Sequence, residues 1–208
     1  MGRRSLHCAP LALVVGAFAC AGAPPADGPA PSPALARSTG ALAIANRERR
    51  YAITGSSVAA LAEAMQRLGP RESGTPADAL TEWELESSYR EGTTAGGCAL
   101  RDVRVRLTIT VTLPQWDRPT DAPARLILSW RRFLEHVQLH EAGHRAIAEQ
   151  SARDLAAALT ALRGRVCDAV FDEAGRTAKR VVERGRAQNR AYDVETAHGQ
   201  TQGVELVP

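Results

Sequence analysis

The chain has 208 residues, 44% of them hydrophobic and few aromatic, with a formal net charge of +3. This length and apolar content suit one globular domain with its own core. Without residues 1–19, which carry Arg3 and Arg4, the balance is 24 basic to 23 acidic side chains, and nothing resembles the footprint of a nucleic-acid binder.

Taken in chain order, the first segment reads as an export signal. Arg3 and Arg4 precede an apolar run over residues 9–19, which ends in small residues and is too short for a comfortable membrane span. Cys20 directly after it resembles a lipoprotein acceptor, although Ala17 and Phe18 depart from the usual pattern. The expected location is therefore secreted or periplasmic, with membrane attachment if Cys20 is lipidated. Residues 20–45, which include GAPPADGPAPSPALARSTG, read as a Pro/Ala/Gly-rich tether that cannot bury enough apolar surface to order itself. The folded domain is expected over 46–208. It keeps Cys98 and Cys167, which in an exported protein most simply pair as a disulfide.

Residues 48–54 (ERRYAIT) read as a first strand. GSSVAALAEAMQRLG follows as a short amphipathic helix, capped by Ser56 or Ser57 and stopped at Gly69-Pro70. ALTEWELESSY places Thr81, Trp83, Leu85, Ser87 and Tyr89 on one face, and CALRDVRVRLTITVTLP alternates likewise from Val103 to Val111. The glycine-rich EGTTAGG between them predicts an antiparallel hairpin. From Ala122 to Leu162 the period changes to that of a helix, with a kink expected near Gly143; a second helix follows from Val166 to about Arg190. The class is α+β: a small antiparallel sheet packed on a long helical hairpin with a zincin-like active-site helix.

That first long helix carries His140-Glu141-Ala142-Gly143-His144. Histidines four apart project from one face of a helix, so both imidazoles can reach one Zn²⁺. Glu141 is placed to act as general base toward a water on that metal, the H-E-x-x-H logic of zinc peptidases. Gly143 inside a helix costs about 1 kcal/mol relative to Ala, which suggests a close approach to its backbone. His136 lies about 12 Å along the axis from His144 and reads as a surface or supporting residue. No third histidine follows six residues after His144, where Gln150 stands. If the chain reverses near Gly164, Glu183 and the segment AYDVETAHGQTQG return beside the motif.

Together, YAITGSS, LTEWELESSY, the cysteine opening a strand that ends TLPQW, HEAGH, and the tail Tyr192-Asp193-x-x-Thr196-x-His198-Gly199 resemble a bacterial domain-of-unknown-function family (DUF922) of predicted secreted zinc-dependent proteases. The resemblance covers residues 48–203 and implies a zinc peptidase. In the leading arrangement His140, His144 and His198 hold Zn²⁺, Glu141 is the base, Asp193 orients His198, and Tyr192 donates to the oxyanion. Glu183 or Asp193 is the alternative third ligand. The expected partner is a peptide or protein substrate in the cell envelope. The rival readings are a non-catalytic envelope protein with a structural metal site and a metal-free binding module.

Overall fold

A computed structural model describes residues 41–207; the predicted signal, Cys20 and most of the predicted tether lie outside them. The elements in chain order are β1 (Ala41–Ile53), α1 (Val58–Leu68), β2 (Arg71–Glu72), β3 (Thr75–Pro76), β4 (Leu80–Thr94), β5 (Gly97–Trp116), α2 (Ala124–Ala161), β6 (Arg163–Gly164), α3 (Cys167–Thr196) and a 3-10 turn at Gln200–Gln202. The fold is α+β, a small sheet against helices, as the patterning predicts.

Two features differ from expectation. β1 begins at Ala41, so residues 41–45, assigned above to the tether, are strand paired with Arg104–Thr108. The sheet is also mixed rather than antiparallel: β4 pairs antiparallel with β5, but β1 runs parallel along its other side, giving the order β1-β5-β4. Side-chain alternation reports which face is buried, not the direction of the neighbouring strand, so the parallel pairing had no local signal.

The core forms where two periodicities meet. Val103, Val105, Leu107, Ile109, Val111 and Leu113 are the buried alternate residues of β5. Against them lies the stripe of α2 that includes Trp130, Phe133, Val137, Ala148 and Leu155. β5 is central, which is why its inner face is almost wholly apolar. β1 is an edge strand, exposed along most of its length.

α2 runs as one helix of 38 residues through Gly143. α3 continues for 30 residues through Gly175 and Gly185. At Gly185 a Cβ would press on Ser151 Oγ and the Trp83 ring, so this glycine lets α3 approach both α2 and β4. Cys98 at the start of β5 is bonded to Cys167 at the start of α3, tying the sheet to the second arm of the hairpin. The bridge closes a loop with a sequence separation of 69. Replacing both cysteines by serine should lower the unfolding free energy by about 4 kcal/mol on the chain-entropy model, read from denaturant midpoints at constant slope. A loss below about 1 kcal/mol would show that the reduced chain is already restrained.

Candidate metal centre

The helical repeat of α2 divides its motif between two sides. Glu141 turns toward the sheet, where the Thr81 hydroxyl donates a 2.5 Å hydrogen bond to its Oε2. Thr81, Val111 and Glu48 form one cross-strand row beneath the helix. His140 and His144 turn instead toward α3, which has returned alongside α2. All three motif side chains are buried.

On α3, Asn189 and Asp193 are one helical turn apart and face α2. His144 Nδ1 lies 2.8 Å from Asn189 Oδ1, and His140 Nδ1 lies 3.0 Å from Gln202 Oε1. The His140 carbonyl can only accept, so the Tyr192 hydroxyl donates to it at 3.3 Å. Gln202 Nε2 donates to that hydroxyl at 3.0 Å, which leaves Gln202 Oε1 to accept from His140 Nδ1–H. The Asn189 carbonyl takes the Nδ1 proton of His144 in the same way.

With both Nδ1 atoms protonated, both Nε2 atoms present lone pairs. They stand 3.2 Å apart, and Asp193 Oδ1 lies 3.3 Å from the first and 3.0 Å from the second. In that neutral tautomer three acceptor atoms meet in a buried place, an arrangement that a shared proton or metal ion would relieve. Ligands about 2.0–2.1 Å from a tetrahedral zinc are separated by about 3.3 Å, so these three atoms match one face of such a tetrahedron. Among the described residues, His140, His144 and Asp193 form a buried group that could hold a metal ion.

The model of a bacterial protein family of unknown function, DUF922, matches residues 48–199. The chain belongs to the DUF922 family. No curated protein and no solved structure matches it. The matched span of the DUF922 domain contains His140, Glu141, His144, Asn189 and Asp193, while Gln202 lies just beyond it.

Within this DUF922 centre the sequence-predicted residues are distributed unevenly. His140 and His144 converge, but His198 does not join them: its Nδ1 is 3.9 Å from Asp193 Oδ1 and its side chain is 76% exposed. The reason is that α3 extends to Thr196, so Asp193 falls on the helix face toward α2. Ala197 and His198 then take left-handed backbone and carry the His198 ring outward. Glu183 is exposed and pairs with Lys179 at 3.9 Å. Tyr192 stacks on the His140 ring at 5.1 Å and bonds on its Nδ1 side, away from the converging Nε2 atoms. Its hydroxyl is engaged by the His140 carbonyl and by Gln202. His136 Nδ1–H donates to the Gly203 carbonyl at 2.7 Å and fastens the tail.

Sequence reasoning missed Asn189, Gln202 and Thr81. Asn189 carried a usable signal, since it lies four residues before Asp193 on a predicted helix. Gln202 carried none, because the left-handed turn at Ala197, His198 and Gly199 decides where it goes.

Burial pushes the Glu141 carboxyl above its ordinary range; the Thr81 hydrogen bond and the two histidines oppose this, and the Asp193 carboxylate reinforces it. The folded chain thus holds the Glu141 proton more tightly than the unfolded chain. Metal-free protein should therefore lose stability as pH rises from the unfolded value of about 4.3 through the folded pKa. Metal-free Glu141→Gln should melt higher than the parent at about pH 8 and converge with it near pH 4. Equal melting at both pH values would refute the desolvated carboxylate.

Gly143 faces the Tyr192 ring so closely that a Cβ would overlap it. Gly143→Ala would add about 1 kcal/mol on an open helix, but here overpacking should prevail and destabilise by about 1–3 kcal/mol. Thermal unfolding measures the sign directly.

Proposed function

We propose that this chain is an exported zinc-dependent metallopeptidase. The observation that carries this reading is the convergence of His140 Nε2, His144 Nε2 and Asp193 Oδ1 at 3.0–3.3 Å, with both Nδ1 protons held by side-chain carbonyls. Two neutral imidazoles and a carboxylate are a donor set that zinc favours. Zinc there supplies a Lewis acid that acidifies water and polarises a carbonyl.

The chain's own groups do the remaining work. Glu141, with its raised proton affinity, takes a proton from the attacking water and returns it to the departing amine. Thr81 holds the carboxylate in one orientation between these transfers. Asn189 and Gln202 keep each imidazole in the tautomer that leaves Nε2 free, and the Tyr192 ring fixes the plane of His140. The Cys98–Cys167 bridge supports an oxidising, extracytoplasmic location. No helix among the described residues is long and apolar enough to cross a membrane. Membrane attachment is proposed through lipidation of Cys20, which lies outside the described residues.

One observation favours a second reading, a structural metal site. His198 stands near enough to Asp193 to swing in as a fourth protein ligand and close the centre.

Zinc content and a peptide-cleavage screen separate these readings. About one zinc per chain should be bound by the parent, by Glu141→Gln and by His198→Ala, and lost in His140→Ala and Asp193→Ala. Glu141→Gln should retain zinc yet lose about 10²–10⁴-fold in cleavage. Zinc affinity falling at least tenfold in His198→Ala, with no cleavage by the parent, would favour the closed site. No zinc in any form after reconstitution would leave a metal-free binding module.

A further inference from the structure

α2 crosses over β5 and leaves the inner side of β1 uncovered. A cleft of about 230 Å³ remains between that strand and the flank of α2, lined by Glu48, Val111, Leu113, Gln138, Glu141 and Arg145. It therefore lies on the sheet side of α2 and opens onto the same Glu141 that adjoins the metal centre. Gln138, Glu141 and Arg145 occupy one helix flank at spacings of three and four.

The charges in this cleft are not equivalent. Glu48 is already paired with its strand neighbour Arg50 at 2.6 Å, and Glu141 Oε2 is bonded to Thr81. Arg145 is exposed and has no carboxylate within ion-pair distance and no hydrogen-bond partner among the described residues. Its guanidinium is the uncommitted charge of the cleft, which it lines together with Gln138. Such a planar fork of donors suits a carboxylate, which it can grip through two bonds.

We propose that this cleft is a substrate subsite and that Arg145 recognises a carboxylate carried by the peptide, which rests on the peptidase reading above. Arg145 is four residues from Glu141, about 6 Å along the helix, and an extended peptide advances about 3.3 Å per residue. The recognised carboxylate therefore sits within about two residues of the bond cleaved. It comes either from an acidic side chain or from the peptide's C-terminus.

The test uses the zinc-loaded chain and three sets of peptides: end-blocked with an internal Asp or Glu, neutral with a free C-terminus, and neutral with both ends blocked. Cleavage of one carboxylate-bearing set over the blocked neutral set by about tenfold or more is expected, the scale of one charge-assisted hydrogen bond. The preferred set identifies the source. Arg145→Ala should abolish the preference mainly through KM while keeping zinc and fold, and Arg145→Glu should turn it toward Lys-containing peptides. The same ratio in Arg145→Ala as in the parent overturns the proposal. If nothing is cleaved, fluorescence anisotropy of the labelled peptides on zinc-loaded Glu141→Gln decides. Arg145-dependent binding of the carboxylate peptides then keeps the subsite and removes the peptidase reading, whereas no such binding removes both.

Discussion

The mutual approach of His140 Nε2, His144 Nε2 and Asp193 Oδ1 is the constraint around which the hairpin is arranged. Three electron-rich atoms held this close and away from water repel one another unless a proton or a metal ion is shared between them. Much of the surrounding structure serves to hold them there. Gly143 gives up a side chain so that Tyr192 can lie against the helix and stack on His140. Gly185 brings α3 close to α2 a little over two turns before Asp193. The left-handed turn after α3 sends Gln202 back to His140, and His136 pins the end of that turn.

The sheet enters through Glu141 rather than through the histidines. Because successive helical residues are rotated by about 100°, a single pentapeptide can place its ligands toward α3 and its carboxylate toward β4 and β5. Burial raises the proton affinity of that carboxylate, and the Thr81 hydroxyl offsets part of the effect while fixing its direction. The disulfide secures the relation between the two layers by linking the start of β5 to the start of α3. Sheet and hairpin are thereby held in the register that the centre needs.

A good deal of this was legible in the chain itself. The alternation in ALTEWELESSY and CALRDVRVRLTITVTLP identified the hairpin of β4 and β5, and the i, i+4 histidines identified one side of α2 on which both rings lie together. Gly143 was recognisable as a point of close approach, although the residue that approaches, Tyr192, was not. Ala41–Ala45 was hidden because its Ala-rich composition matches the segment before it, and strand formation there depends on β5 supplying the partner.

The sequence by itself determined the α+β class, the two long helices, the pairing of Cys98 with Cys167 and the histidine pair. These follow from local periodicity, or from Cys98 and Cys167 being the two cysteines within the expected domain. Only the tertiary structure decided that β1 runs parallel to β5, that Asp193 rather than His198 meets the histidines, that Asn189 and Gln202 bond those histidines, and that Thr81 bonds Glu141. Each depends on the side-by-side register of elements distant in the chain. Whether α3 ends before or after Asp193 changes which side chain points at α2, and the helix ends only at Thr196, where Ala197, His198 and Gly199 turn left-handed.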